Sequence, residues 1–293
     1  MKSKILRATA ANNYIRIFVA DTTAMVEKAR SMHQASPVAI AALGRTLTAT
    51  SIMGVMLKGD KHKITVKING GGPLGPIVVV GNAQGNVKGY VANTQVEGTF
   101  LYENKLNVGE AVGKNGEIVV IKDIGLKEPY SGTYPLVSGE IAEDFASYFL
   151  YSEQQPSAVG LGVLVDVDYT IKAAGGYIIQ VLPDIDENLL FILENRIQEL
   201  ESISTLLSRE MGAEAILDYI IGDMEYKLLE TYEVDFDCDC HEERLENALI
   251  SIGREALTEI IEEDGGAEMV CHFCNKKYYF DKERLLGLLE RTD

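Results

Sequence analysis

His62-Lys-Ile-Thr-Val-Lys-Ile68, Pro76-Ile-Val-Val-Val80, Asn86-Val-Lys-Gly-Tyr-Val-Ala92 and Glu117-Ile-Val-Val-Ile-Lys-Asp123 are four short runs rich in β-branched residues. The stretches between them include Asn69-Gly-Gly-Gly-Pro-Leu-Gly75, Gly81-Asn-Ala-Gln-Gly85 and Gly113-Lys-Asn-Gly116. Glycine supplies turn backbones at little steric cost, so runs this short and this punctuated predict a meandering antiparallel sheet rather than crossover units.

Outward from that sheet the period changes. Residues 36–57 predict a helix in which Ser36 can cap free amides and Pro37 occupies the first turn without forfeiting a hydrogen bond. Its alanines and glycines imply close backbone packing, and Arg45 within it favours a buried helix over a membrane span. A helix is expected over 22–33 and a strand over 14–20. Downstream, Ser138 and Gly139 precede a helix over 140–151. Residues 158–170 and 176–182 read as a strand pair, with Val163, Val165 and Val167 alternating.

After Pro183 the apolar residues Ile185, Leu189, Leu193, Ile197, Leu200, Ile203 and Leu207 recur at separations of three and four. That spacing predicts a helix over 184–210 with one apolar stripe, continued by short helical segments over 213–221 and 226–231. The stripe needs cover from the body, the tail or another subunit, unless it is permanent core. The fold class expected is α+β: a large N-terminal domain of antiparallel sheets and helices over 1–182, a helical, apolar linker over 183–237, and a small C-terminal domain over 238–293.

The chain of 293 residues carries a net charge of −17, unevenly spread. Residues 1–182 hold 17 Lys and Arg against 15 Asp and Glu, whereas 183–293 hold 10 against 29. An acidic C-terminal third repels phosphate backbones and anionic membranes, so neither nucleic acid nor membrane is an expected partner. The start lacks an apolar run of secretory length, and a cytoplasmic location is expected.

All four cysteines fall within 37 residues, as Cys238-Asp-Cys240 and Cys271-His-Phe-Cys274. A disulfide-stapled secreted domain would spread its cysteines over the fold. Two close pairs point instead to a metal, and four thiolates suit one zinc ion with no coordination position left for water. Iron–sulfur centres use other spacings. His241 and His272 border the cysteines and could replace a ligand, but read better as neighbours of the sulfurs. His33 and His62 have no catalytic partner in sequence. A domain of about sixty residues this acidic has a small core, and structural zinc supplies on the order of 10–16 kcal/mol in peptides, so the ion is expected to hold it folded. Metal-bound thiolates are also oxidisable, and oxidation that withdraws their lone pairs expels the ion.

These cysteine pairs, with Asn275-Lys-Lys-Tyr-Tyr-Phe280 behind them, resemble the redox-regulated bacterial chaperonins of about 33 kDa, a holdase family. Gly72-Pro-Leu-Gly75, Gly85-Asn-Val-Lys-Gly-Tyr90 and Glu128-Pro-Tyr-Ser-Gly-Thr-Tyr-Pro-Leu-Val-Ser-Gly-Glu-Ile-Ala-Glu-Asp144 extend the resemblance over essentially the whole chain. His241 stands where the family has a small polar residue, a minor departure. The resemblance implies an ATP-independent chaperone, quiet while reduced and zinc-bound through Cys238, Cys240, Cys271 and Cys274. Oxidation is then expected to form Cys238–Cys240 and Cys271–Cys274 disulfides, release zinc and loosen the linker. It further implies binding of unfolding client proteins, homodimers when activated, and hand-over to refolding chaperones.

Two other functions compete. A zinc hydrolase needs an open coordination position, and a thiol oxidoreductase needs its Cys-x-x-Cys at a helix start, whereas Cys274 leads into the strand-like Tyr278-Tyr-Phe280. No enzyme is expected. A protein- or nucleic-acid-binding module with permanently structural zinc would use Lys276, Lys277, Lys282 and Arg284, a small basic cluster in acidic surroundings. The glycine-rich strings lack the lysine of a nucleotide loop.

Overall fold

The computed structural model describes residues 2–96, 101–102 and 105–291. Two compact units divide it, Met1–Asp237 and Cys238–Asp293.

In the first unit, in chain order, stand β1 (Ser3–Ala10), β2 (Ile15–Asp21), α1 (Thr23–His33), α2 (Pro37–Val55), β3 (Lys63–Asn69), β4 (Ile77–Asn82) and β5 (Val87–Val91). A short hairpin of β6 (Leu101–Tyr102) and β7 (Lys105–Leu106) precedes α3 (Val108–Val112), β8 (Glu117–Asp123), β9 (Tyr130–Pro135), α4 (Ala142–Tyr151), β10 (Ser157–Val165) and β11 (Ile171–Val181). Then come α5 (Glu187–Glu199), α6 (Ile203–Ser208), α7 (Ala213–Ile221) and β12 (Tyr226–Val234).

The glycine-punctuated runs form a five-stranded antiparallel sheet in the order β5-β4-β3-β8-β9. Its alternation is real: Ile64, Val66, Ile68, Val79, Ile118 and Val120 are buried while their neighbours are not. β9 extends this sheet by a strand that the sequence pattern did not mark.

α2 is the interior of this unit. Among the described residues it is the one helix long and apolar enough to cross a membrane, yet it is buried almost throughout. Small residues make that possible. A Cβ on Gly54 would lie 2.4 Å from the Asn82 carbonyl oxygen, and one on Gly44 2.7 Å from a Val26 methyl. Thr46 and Thr48 return their hydroxyls to the carbonyls of Ala42 and Gly44, which satisfies two of the buried threonines, while the Thr50 hydroxyl is buried without a hydrogen-bond partner among the described residues.

The second sheet runs β10-β11-β2-β1-β12. One face meets α1 and α2; on the other, Leu6, Ile15, Ile17, Val19 and Ile179 share a core with Leu193, Ile203, Leu206, Ile216 and Ile220 of α5, α6 and α7. The apolar stripe after Pro183 is therefore covered by the body's own sheet, and residues 183–237 pack within the first compact unit.

Three expectations are corrected. The helix over 184–210 is two helices, because Ser202 caps a second start by accepting from the Thr205 amide. Residues 226–231 are strand, not helix: Gly222, at φ +60°, ends α7, and β12 then satisfies the edge of β1 in the register Ser3↔Val234 to Ala10↔Tyr226. The alternation through Val167 stops at Val165, where a turn at 166–170 leaves Val167 almost fully exposed. β1 is a second strand that the sequence pattern does not mark.

In the second unit, α8 (Glu242–Ser251), α9 (Arg254–Glu263) and α10 (Lys282–Leu289) pack with the hairpin β13 (Gly266–Val270) and β14 (Lys277–Asp281). Leu249, Leu257, Ile261, Tyr278, Phe280, Leu285 and Leu288 form its core. Asp281 caps α10 by accepting from the Arg284 amide at 2.9 Å.

Candidate metal centre

Cys271 and Cys274 lie in the turn that joins β13 to β14. The amides of Cys274 and Asn275 both donate to the Cys271 carbonyl, at 3.3 and 2.7 Å, and Asn275 takes φ +57°, so the chain folds back within four residues. Asparagine tolerates that left-handed backbone better than most residues. The Cys271 amide closes the hairpin on the Lys276 carbonyl at 3.0 Å. Cys238 and Cys240 occupy a segment outside helix and strand just before α8.

The four sulfurs converge: all lie within 4.8 Å of one another, with Cys238 3.7 Å from Cys271 and Cys240 3.4 Å from Cys274. Four sulfurs about 2.3 Å from a tetrahedral zinc would stand ~3.8 Å apart, so the cluster has the size such an ion needs. The residues fit a metal ion. Cys271 is buried and the other three are half-buried.

The thiols are not equivalent. Burial pushes Cys238 and Cys274 up. Burial also raises Cys240, but hydrogen bonds from the Tyr278 hydroxyl and the neighbouring thiols outweigh it and bring that thiol down to about 7. Hydrogen bonding to that sulfur in turn pushes the Tyr278 phenol up. Of the two histidines that border the cysteines, His241 directs Nδ1 to the Asp239 carbonyl at 3.0 Å, and neither it nor His272 joins the ligating group. His33 and His62 lie in the first unit, His33 against the Gly89 carbonyl and His62 against the Gly59 amide.

Three of the four basic residues behind the cysteines, Lys276, Lys277 and Arg284, are engaged inside the unit. Arg284 holds Glu242 and Glu246 at 2.8 and 2.7 Å and lies over the Phe280 ring. Lys277 meets Glu268 at 2.9 Å, and Lys276 sits over the Tyr278 ring. Such intramolecular use leaves little of an anion-binding face. The Cys271-His-Phe-Cys274 pair sits in a hairpin turn and not at a helix start, the placement that activates oxidoreductase thiols.

Two residues that the sequence did not single out complete the setting. Tyr278, recognisable beforehand only as a core aromatic, brings its hydroxyl to Cys240. Phe236, two positions before Cys238, is buried in the first unit with its ring edge-on to His33 at 6.2 Å. Its segment bonds to β5, the Val87 amide to the Asp235 carbonyl and the Asp237 amide to the Val87 carbonyl.

The family described as Hsp33 protein matches residues 3–281. The chain is 65% identical to the 33 kDa chaperonin of Alkaliphilus metalliredigens and 52% identical to that of Clostridioides difficile, each over 290 residues and 99% of both chains. Its structure resembles that of the 33 kDa chaperonin, a heat shock protein 33 homolog, of Thermotoga maritima. That match has a TM-score of 0.93 and 36% identity over 99% of each chain.

Proposed function

The chain belongs to the Hsp33 protein family, and from that membership and the four-sulfur cluster we propose that residues 238–293 serve as a zinc-held redox latch on a chaperone body. The chain is a redox-regulated, ATP-independent holdase and not an enzyme, and proteins of its family bind unfolding clients. Its four cysteines can hold a metal ion and can form disulfides on oxidation.

The finer reading is that the ion is zinc, one per chain, bound by Cys238, Cys240, Cys271 and Cys274. When bound, zinc neutralises thiolate charge and supplies a tetrahedral anchor between two segments that otherwise share a small acidic core. Each thiolate pair gives two electrons to a peroxide. The peroxide O–O bond breaks, two protons from solvent complete two waters, and an S–S bond forms. We assign the pairs as Cys238–Cys240 and Cys271–Cys274, which leaves no thiolate to hold the cation.

The first unit offers a reason why loss of the anchor spreads. β12 is an edge strand whose side chains from Tyr226 to Glu233 are exposed or half-exposed. It is held by pairing with β1, by exposed ion pairs such as Arg7–Glu230 and Lys28–Asp235, and by Phe236 at its end. Exposed ion pairs contribute little in water. A chain freed beyond Asp237 pulls on a strand with almost no burial of its own, and apolar Tyr226, Leu228 and Leu229 lie on that strand. The function therefore divides as body over 1–182, yielding linker over 183–237 and switch over 238–293. The activated form is a homodimer that passes clients to refolding chaperones in the cytoplasm.

The convergence of four sulfurs within 4.8 Å carries this reading. One oxidation time course tests it, following metal release, disulfide pairing and suppression of client aggregation together. The three are expected to rise in step. A reduced protein that purifies without metal, or full oxidation without gain of holding activity, overturns the latch.

A further inference from the structure

Tyr278 stands second in β14, opposite Met269 of β13, with its ring in the core of the second unit and the Lys276 ammonium 4.7 Å above it. Its hydroxyl reaches across to the other cysteine pair, 38 residues away, and lies 3.0 Å from the Cys240 carbonyl oxygen and 3.2 Å from the Cys240 sulfur. A phenol has one proton to give, and a metal-bound thiolate, carrying net negative charge, is the stronger claimant for it.

Two further observations give this contact weight. Cys238 and Cys240 are one residue apart, so the backbone between them must curl for both sulfurs to face one ion, and that segment belongs to neither helix nor strand. Backbone amides already point at two sulfurs, Cys240 N–H at Cys238 and Lys276 N–H at Cys274. The Tyr278 hydroxyl is the side-chain counterpart for Cys240. It is fixed by a buried ring on a strand that starts three residues after Cys274.

The geometry points to Tyr278 as a positioning residue of the redox switch: its hydroxyl donates to the Cys240 sulfur, holds the first cysteine pair in ligating shape, and slows loss of the metal to oxidants. The inference rests on the metal-thiolate reading above. A donated hydrogen bond draws charge from the sulfur and makes it a poorer target for an electrophilic oxidant. It also fixes the ligand's orientation, as partners outside the ligand set do in other metal sites, where their loss typically costs about 10–100-fold in affinity.

The test is Tyr278→Phe in the full chain, which keeps the ring in the core and removes only the oxygen. Tyr279→Phe, on the exposed side of the same strand, is the control. Zinc affinity by chelator competition is expected to fall about 10–100-fold in Tyr278→Phe. Hydrogen peroxide is expected to release zinc at least several-fold faster. In the cobalt(II)-loaded protein the sulfur-to-cobalt charge-transfer band is expected to move to lower energy, because a thiolate without its donor gives up an electron more easily. General loosening of the fold would not produce that band shift. If Tyr278→Phe matches wild type and Tyr279→Phe in all three measurements, the positioning role is wrong while the metal reading stands. If wild type binds neither zinc nor cobalt, both fall.

Discussion

Replacing Phe236 by alanine isolates the link between the switch and the strand before it. Phe236 is 1% exposed, and truncating so buried an aromatic costs about 3–5 kcal/mol in protein cores. The backbone bonds of Asp235 and Asp237 to Val87 do not need the ring, and His33 keeps its bond to the Gly89 carbonyl, so the loss falls on local anchoring. With ~1.4 kcal/mol per factor of ten, a loss of about 3–5 kcal/mol makes opening of residues 226–237 about 10²- to nearly 10⁴-fold more frequent. Hydrogen exchange on the reduced, metal-bound protein reads this directly. Amides of β12 should lose about two to three and a half decades of protection, while those of β3 and β4 in the other sheet keep theirs. The variant should also suppress client aggregation partially without any oxidant. If β12 exchanges within about threefold of wild type, pairing with β1 alone holds the strand, and the coupling drawn through Phe236 is wrong.

Stripping metal from the reduced protein with a chelator should unfold residues 238–293, seen as loss of protection in β13 and β14, with the sheet of β3, β4 and β8 unchanged; retained protection in β14 would refute the anchor. Asp144→Asn should destabilise the first unit by about 3 kcal/mol, read from urea denaturation, because a buried carboxylate there accepts from the amides of Val137, Ser138, Gly139 and Ile141 and an amide nitrogen cannot. The Arg30 guanidinium holds the Glu27 carboxyl below the usual glutamate range, with a further bond from the Ile171 amide. A depressed folded-state pKa means that this contribution is whole at neutral pH and disappears as pH falls through the folded value. Glu27→Gln should therefore flatten the acid limb of a stability-versus-pH curve and leave its slope above pH 6 unchanged.

Much of the site could be read from residue types alone. Four cysteines in two close pairs admit few chemistries, and the glycine-bounded β-branched runs declared their sheet because each strand alternates against one buried face. What escaped has a common physical cause. β12 reads as helix-compatible, since Tyr226-Lys-Leu-Leu-Glu230 holds no β-only signal; the open edge of β1 more than two hundred residues away decides its state. Ser202 is one polar residue within the predicted helix over 184–210, yet a side chain able to take the Thr205 amide suffices to start a new helix. Neither the aim of the Tyr278 hydroxyl nor the burial of Phe236 has a local signature, because both depend on which segment the chain brings alongside.

The register Ser3↔Val234 also has a consequence during synthesis. The outer margin of β1 waits until some 225 further residues have been made, on the order of tens of seconds at ribosomal rates, before its partner arrives. The strand that completes the sheet is thus the latest piece of the body to be built. It is also a piece whose departure would leave intact what was assembled earlier. A protein that must open under stress and close again afterwards need only repeat the final step of its own biogenesis.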